Sequence, residues 1–215
     1  MKALQLTLLA TCLWGSSCRG LPAVRATDPA PALQSADPLG EDISASLASL
    51  IENTSLPALS VAVVANGELV ASGAAGVRKV GSPDFVTRRD KFHIGSCTKS
   101  MTASLAAMLV ESGQLTWGTT IGDVFSSMEM SPGFRDIRLD ELLSNRGGVP
   151  GDIDPLLWAS LWGSTKSPTD ARTQLVRATI AGEPNNEPGT TFEYSNTSFA
   201  IAGAMLEKAA GVPYE

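Results

Sequence analysis

The sequence predicts a mixed α/β fold, with an antiparallel sheet flanked by helices and a second, mostly helical region. Two β-rich runs, 58–65 and 68–75, are joined by Asn66-Gly67, and a helical pattern at 41–54 precedes them. The rest of the chain reads mainly as helices and loops. With 215 residues, 43% of them hydrophobic, the chain is long enough to form a core. Its net charge of -6 provides no basic surface for nucleic acid.

The first residues resemble an export signal. Lys2 precedes an apolar run at 3–14 that is too short to span a bilayer, and small residues follow. Residues 24–26 have small side chains at the offsets that favour cleavage after residue 26, and a cut near Ser17 is also compatible. We therefore expect a signal peptide at 1–26, a protein exported to the periplasm or the extracellular space, and no stable membrane span.

The cysteines bear on anchoring, disulfides and metal binding. Cys18 is an alternative lipid-anchor site, but Gly15 stands where such a site usually has an aliphatic residue. Cleavage after residue 26 removes Cys12 and Cys18, and the remaining Cys97 has no partner for an internal disulfide. A single histidine and a single mature cysteine argue against a zinc site. We expect no metal and no cofactor.

The elements near the N-terminus follow from local patterns. Residues 27–40 are rich in Pro and Ala and predict a linker. In 41–54 the apolar residues recur at helical spacing, which predicts an amphipathic helix. Asn66-Gly67 supplies the positive φ angles of a two-residue hairpin turn, so the two β-rich runs predict a hairpin with a helix packed on it. The apolar residues of the helix are Ile43, Leu47, Leu50 and Ile51.

Three further helices are predicted, at 96–112, 170–181 and 196–210. Gly113 and Gly211 are suitable C-terminal caps for the first and the last of them. The first is expected to bury one apolar face, formed by Met101, Leu105, Met108 and Leu109.

Residues 130–168 are predicted to be rich in loops, with Trp158 and Trp162 as packing anchors. Cys97 is expected to be a buried packing residue. Clear strand patterns occur only near the N-terminus, and a hairpin by itself is marginal, so we expect further sheet strands to be missing.

Ser96-Cys97-Thr98-Lys99 has the form S-x-x-K at the start of a helix. Positions three apart share a helical face, so the Ser96 hydroxyl and the Lys99 amine can meet. A lysine whose ammonium form is disfavoured by burial can activate a serine, and the helix N-terminus favours a developing oxyanion. The simpler interpretation is a capping serine with an exposed lysine. His93 is better interpreted as a surface histidine than as part of a triad.

Three motifs carry a family resemblance. Residues 92–102 resemble the nucleophile segment of class C serine β-lactamases, penicillin-binding DD-peptidases and related esterases. Residues 188–196 resemble the family's P-G-x-x-F-x-Y-S-N, at a similar distance from Ser96. Residues 142–150 resemble L-L-T-H-T-S-G-L-P, a mainly structural segment, with Asn-Arg at 145–146 in place of His-Thr.

The resemblance implies a β-lactamase/transpeptidase-like fold and a serine hydrolase that acts through an acyl-enzyme. By this resemblance Ser96 is acylated, Lys99 helps to activate it, Tyr194 carries a proton to the leaving group, and Asn196 binds the substrate carbonyl or amide. The implied partner is a small-molecule or peptide substrate, namely a β-lactam, a D-amino-acid peptide or an ester.

The family's third motif, K-T-G or H-x-G on a later strand, has no counterpart after Tyr194. We therefore expect 41–215 to be the N-terminal part of a truncated domain whose C-terminal strands are missing, and the 215 residues alone to be inactive. The alternative function is that of a non-catalytic remnant of such a hydrolase. The sequence leaves the oligomeric state open.

Overall fold

The structure is a computed structural model that describes residues 37–151 and 153–215. The predicted signal peptide, 1–26, and most of the predicted linker lie outside the described residues. The chain divides into two compact units, one ending at Phe92 and one beginning at His93. In the described part of both units, no helix is long and apolar enough to cross a membrane.

The first unit contains a small sheet of three described strands in the order β1-β3-β2, where β1 is Glu41–Asp42, β2 is Ala58–Ala65 and β3 is Glu68–Gly76. β2 and β3 form the predicted antiparallel hairpin, and β1 pairs with β3 in parallel. The predicted turn is confirmed, since φ is +53° at Asn66 and +81° at Gly67.

A helix, α1 (Ser44–Ile51), packs on β3, which confirms the predicted helix on a sheet. It is shorter than the predicted 41–54, because the first two of those residues pair with β3 instead. Gly73 permits the close approach, since a Cβ there would lie 2.9 Å from atoms of Ile43 and Leu47. Leu47 and the middle of β3 are buried together.

The second unit is helical, as the sequence predicts. A 3₁₀ turn, Gly95–Cys97, leads into the first of the seven α-helices that the structure describes in this unit. They are α2 (Thr98–Glu111), α3 (Ile121–Val124), α4 (Pro132–Arg135), α5 (Leu139–Leu143), α6 (Pro155–Trp162), α7 (Pro168–Ile180) and α8 (Asn196–Ala210). α2, α7 and α8 are the three helices that the sequence predicts, and α8 has the predicted bounds.

The core of the second unit surrounds α8. Ser195 caps this helix by accepting a hydrogen bond from the Ser198 backbone N–H at 2.9 Å, and Gly211 ends it with φ +70°. α8 is buried along most of its length and contacts α2, α5 and α7. The largest buried side chains of this core, on α8 and on the elements around it, are Phe134, Ile121, Ile137, Leu139, Leu142, Ile180, Ile201, Met205 and Leu206.

The predicted buried face of α2 is wrong in part. Leu109 is buried, but Met101 is 59% and Met108 64% exposed. The buried residues are Thr102, Ala106 and Leu109, a stripe about one residue further round the helix. Because two of these three side chains are a polar threonine and a small alanine, the stripe is not recognisable in the sequence as an apolar face. Its small side chains nevertheless let two helices approach closely.

Two further packing predictions are wrong. Trp158 and Trp162 lie on a helix, α6, inside the stretch predicted to be rich in loops, and they are 50% and 79% exposed. Because both side chains are this exposed, they are not anchors in the core. Their rings contact each other instead, with centroids 5.6 Å apart. Cys97, predicted to be buried, is an exposed free cysteine in the 3₁₀ turn, where no residue is buried.

Candidate active site

The predicted nucleophile lies at the entry to α2. Ser96 is the middle residue of the 3₁₀ turn, which Gly95 enters with φ +53°, and Lys99 follows in the first turn of α2. Lys99 Nζ is 3.3 Å from Ser96 Oγ, so the three-residue spacing brings the amine to the hydroxyl. His93 is exposed, as predicted, and its Nδ1 accepts a hydrogen bond from the Gly95 backbone N–H.

The second predicted pair comes from the other end of the unit and meets the first. Tyr194 Oη lies 2.6 Å from Ser96 Oγ, and Asn196 Oδ1 accepts a hydrogen bond from Lys99 Nζ at 2.6 Å. Lys99 Nζ also lies 4.6 Å from the centroid of the Tyr194 ring. The structure therefore brings all four predicted site residues into one cluster.

Hydrogen bonding and charge in this cluster lower the pKa of the Tyr194 phenol. The pKa of the Tyr194 phenol lies below its ordinary value of 10.0, mainly because of hydrogen bonding with Lys99 and then with Ser96. The charge of Lys99 adds to this effect, while partial burial opposes it. The ring is 48% exposed, so solvent reaches the phenol. A phenol with a lowered pKa is better suited to exchange a proton near neutral pH.

The loop before α8 holds Tyr194 through the segment after α5. Asn145 has φ +56°, and its backbone carbonyl accepts from the Glu193 N–H at 2.9 Å. Its side-chain Oδ1 accepts from the Ser195 N–H at 3.0 Å, and the Ser195 hydroxyl donates to the Pro150 carbonyl. Tyr194 is thus held on both sides, which confirms the structural role predicted for this segment.

A groove of about 430 Å³ runs beside the cluster and contains residues that the sequence did not single out. Thr102 Oγ1 and Tyr214 Oη lie 2.6 Å apart, and the Arg172 guanidinium lies 5.0 Å from the Tyr214 ring centroid. Arg172 pairs with Glu207 at 2.9 Å and also with Glu215. These side chains are far apart in sequence and belong to no short motif.

Metal-ligating residues do not gather at the site. Within residues 37–151 and 153–215, no group of three or more His, Cys, Asp or Glu side chains could hold a metal ion.

A serine hydroxyl therefore lies within hydrogen-bonding distance of a lysine and a tyrosine at the entry to a helix, an arrangement of the S-x-x-K type. The model of the Beta-lactamase family matches residues 43–215. The chain therefore belongs to the β-lactamase family, and the resemblance seen in the motifs is confirmed.

Curated relatives agree with this assignment. An "Unguisins hydrolase ungD'" of Aspergillus campestris is 28% identical over 193 residues, which are 82% of this chain and 33% of that protein. "Penicillin-binding protein 4" of Amycolatopsis lactamdurans is 28% identical over 162 residues, 74% of this chain and 40% of that protein. The chain thus spans between a third and two fifths of the length of these relatives.

Solved structures show the same fold. An octameric penicillin-binding protein homologue from Pyrococcus abyssi aligns with a TM-score of 0.62 and 24% identity, over 80% of this chain and 39% of that one. A class C β-lactamase aligns with a TM-score of 0.61 and 24% identity, over 79% of this chain and 43% of that one. The predicted β-lactamase/transpeptidase-like fold is confirmed.

Proposed function

We propose that this chain carries the nucleophile of a serine hydrolase, and that Ser96 forms an acyl-enzyme with a β-lactam, a D-amino-acid peptide or an ester. The observation that carries the proposal is the position of Ser96 Oγ, 2.6 Å from Tyr194 Oη and 3.3 Å from Lys99 Nζ. A serine hydroxyl is a weak nucleophile until a neighbouring base takes its proton. Relatives named as a hydrolase and as a penicillin-binding protein support the same reaction class.

The proposed reaction has two steps. Ser96 Oγ bonds to the substrate carbonyl carbon and its proton passes to the Lys99–Tyr194 pair. The bond from that carbon to the leaving group then breaks, and Tyr194 returns the proton to the departing nitrogen or oxygen. Asn196 binds the substrate through its side-chain amide. In the second step the oxygen of a water molecule bonds to the acyl carbon while its proton passes to the Lys99–Tyr194 pair. The bond from that carbon to Ser96 Oγ then breaks, the acid leaves, and the pair returns the proton to Ser96 Oγ.

A covalent probe tests the first step. If Ser96 is the nucleophile, a fluorophosphonate should modify it in the complete catalytic domain, as measured by intact mass and peptide mapping, and the same labelling is then attempted on the 215 residues alone. Lys99→Met should slow labelling by about 10²–10⁴-fold, the usual contribution of a positioned base. Ser100→Ala is the matched control, because this exposed neighbour lies outside the cluster and its hydroxyl only donates to the Cys97 carbonyl. Labelling that persists in Ser96→Ala would show that another residue reacts.

The non-catalytic remnant is the second candidate function, for a chain that spans 33% and 40% of the length of the two relatives. It is the interpretation to adopt if Ser96 stays unlabelled while circular dichroism shows the helices folded. Stoichiometric labelling of Ser96 in this chain would overturn the expectation that the 215 residues alone are inactive. The same expectation is tested by counting the molecules of product released per Ser96, with nitrocefin and a p-nitrophenyl ester as substrates.

We also propose that the protein is exported with cleavage after residue 26, and that 41–215 forms the family domain after a linker at 27–40. N-terminal sequencing of exported material tests the cleavage site. A lipid on Cys18, detected by mass spectrometry, would replace cleavage after residue 26 with anchoring.

A further inference from the structure

The Lys99 amine lies among polar atoms and aromatic rings, and one of those rings takes no part in the proposed proton transfers. Lys99 Nζ lies 3.3 Å from Ser96 Oγ and donates to Asn196 Oδ1 at 2.6 Å. The same Nζ lies over two rings, 4.6 Å from the centroid of Tyr194 and 5.4 Å from that of Phe199. Phe199 has no polar side-chain atom, so it can neither take nor give a proton.

Phe199 belongs to the wall of the groove beside Ser96. It follows Asn196 by three residues in the first turn of α8, so the amide and the ring share one face of the helix. The ring is partly buried and lines the groove together with Lys99 and Asn196. One turn of α8 therefore gives the amine both a hydrogen-bond acceptor and the face of a ring.

A ring in this position can hold the amine in place. Lysine has a flexible four-carbon stem, and keeping it in one rotamer costs conformational entropy. The groove of about 430 Å³ gives the Lys99 side chain room to leave Ser96. The face of an aromatic ring attracts a protonated amine within about 6 Å of its centroid. In the proposed first step the Ser96 proton passes to the Lys99–Tyr194 pair, so a protonated amine would be held most firmly at that point.

We propose that Phe199 is a positioning residue of the Ser96 site, and that its ring holds the Lys99 amine against Ser96 and Tyr194 while the proton moves. A different aromatic side chain should fill this role, because it offers the same kind of ring face. Leucine should not, although it is apolar and of similar size. The effect on the reaction rate rests on the proposed acylation of Ser96, whereas the contact with Lys99 does not.

The Tyr194 phenol reports the position of the amine without any acylation. Its pKa lies below 10.0 mainly because of hydrogen bonding with Lys99. Tyr214→Phe leaves Tyr194 as the only phenol. In this background we expect Phe199→Leu to raise the ultraviolet titration midpoint by part of the rise that Lys99→Met produces, and to add nothing to Lys99→Met. Phe134→Leu is the matched control, because it removes a ring buried in the core of the same unit and should leave the midpoint unchanged.

The rate at which a fluorophosphonate labels Ser96 in the complete catalytic domain tests the effect on the reaction. We expect Phe199→Leu to slow labelling about tenfold, the order of one partly buried contact between a cation and a ring. Phe199→Tyr keeps the ring and should retain most of the rate. In the Lys99→Met background Phe199→Leu should have no further effect. A loss of equal size in that background refutes the proposal, because a purely structural role does not depend on the lysine.

The outcomes separate the two proposals. If Phe199→Leu leaves the rate of Ser96 labelling unchanged, the positioning role is wrong and the hydrolase proposal stands. If Ser96 is not labelled but Phe199→Leu raises the titration midpoint, the hydrolase proposal fails and the contact with Lys99 stands. An unchanged midpoint refutes the inference whether or not Ser96 is labelled. Circular dichroism checks each fold, and if Phe199→Leu does not fold, Phe199→Met, which also removes the ring, is judged by the same two measurements.

Discussion

Replacing Asn145 by alanine should loosen the loop that holds Tyr194. The Asn145 side chain accepts from the Ser195 N–H, and its backbone carbonyl accepts from the Glu193 N–H, on either side of Tyr194. Its backbone is left-handed, with φ +56°. Alanine removes the side-chain acceptor and also disfavours this backbone conformation, so one substitution has two separable costs.

The magnitude follows from these two effects. Ser195 is buried, and its N–H would be left without an acceptor, which costs about 1–3 kcal/mol. A left-handed alanine adds about 1–2 kcal/mol. We therefore expect Asn145→Ala to lower the free energy of unfolding by about 2–5 kcal/mol. Asn145→Gly loses only the hydrogen bond and should cost less. Asn145→Asp keeps an acceptor and tolerates the left-handed backbone, so it should cost least.

Urea unfolding followed by tryptophan fluorescence measures this series, because Trp117, Trp158 and Trp162 all lie in the unit that contains Asn145. The midpoints should rise in the order Ala, Gly, Asp, wild type. The rate at which a fluorophosphonate labels Ser96 should fall in Ala and Gly. Equal midpoints for Ala and Asp would refute the reasoning, because they would show that the side-chain acceptor does not hold the loop.

Two other predictions concern the phenol and a buried hydroxyl. In the Tyr214→Phe background, Tyr194 is the only phenol in the chain. Its ultraviolet titration should have a midpoint below 10.0. Lys99→Met should raise this midpoint, because the lysine is the main cause of the lowered pKa. A midpoint at or above 10.0 would contradict the observed hydrogen bonding. Thr197 Oγ1 is buried and has no hydrogen-bond partner among the described residues, so Thr197→Val should stabilise the fold by about 1 kcal/mol in urea unfolding. Thr197→Ser keeps the hydroxyl and should not stabilise; a less stable Val variant would reveal a bound partner such as water.

The parts of the fold that the sequence predicts correctly have local causes. Asn66-Gly67 fixes the hairpin turn because it tolerates positive φ at both positions. Gly211 ends α8, as predicted, and it also has a positive φ. The Ser96–Lys99 contact follows from helical spacing. The meeting of Ser96 with Tyr194, in contrast, is a long-range contact that only the family resemblance implied.

The wrong packing predictions for α2 and α6 have a common cause. The apolar character of a helix face does not determine which element it packs against. On α2, a stripe through Met101 and a stripe through Thr102 both have helical spacing, and the contact with α8 selects the second. On α6, Asp154 and Pro155 are a recognisable helix start that the prediction overlooked, and the helix presents Trp158 to a cavity instead of a core.

The departures of this chain from its family's L-L-T-H-T-S-G-L-P segment fit the way the segment holds the loop. Arg146 and Gly148 accept hydrogen bonds from Gly189 and Asn185 through backbone carbonyls, at 2.8 Å each. A backbone carbonyl is present whatever the side chain, so this hydrogen bond does not restrict the residue type at position 146. Position 145 is constrained, because it needs a left-handed backbone and a side-chain acceptor together, and asparagine provides both. The position of Tyr194 therefore depends on the backbone path of this segment and on the side chains of Asn145 and Ser195.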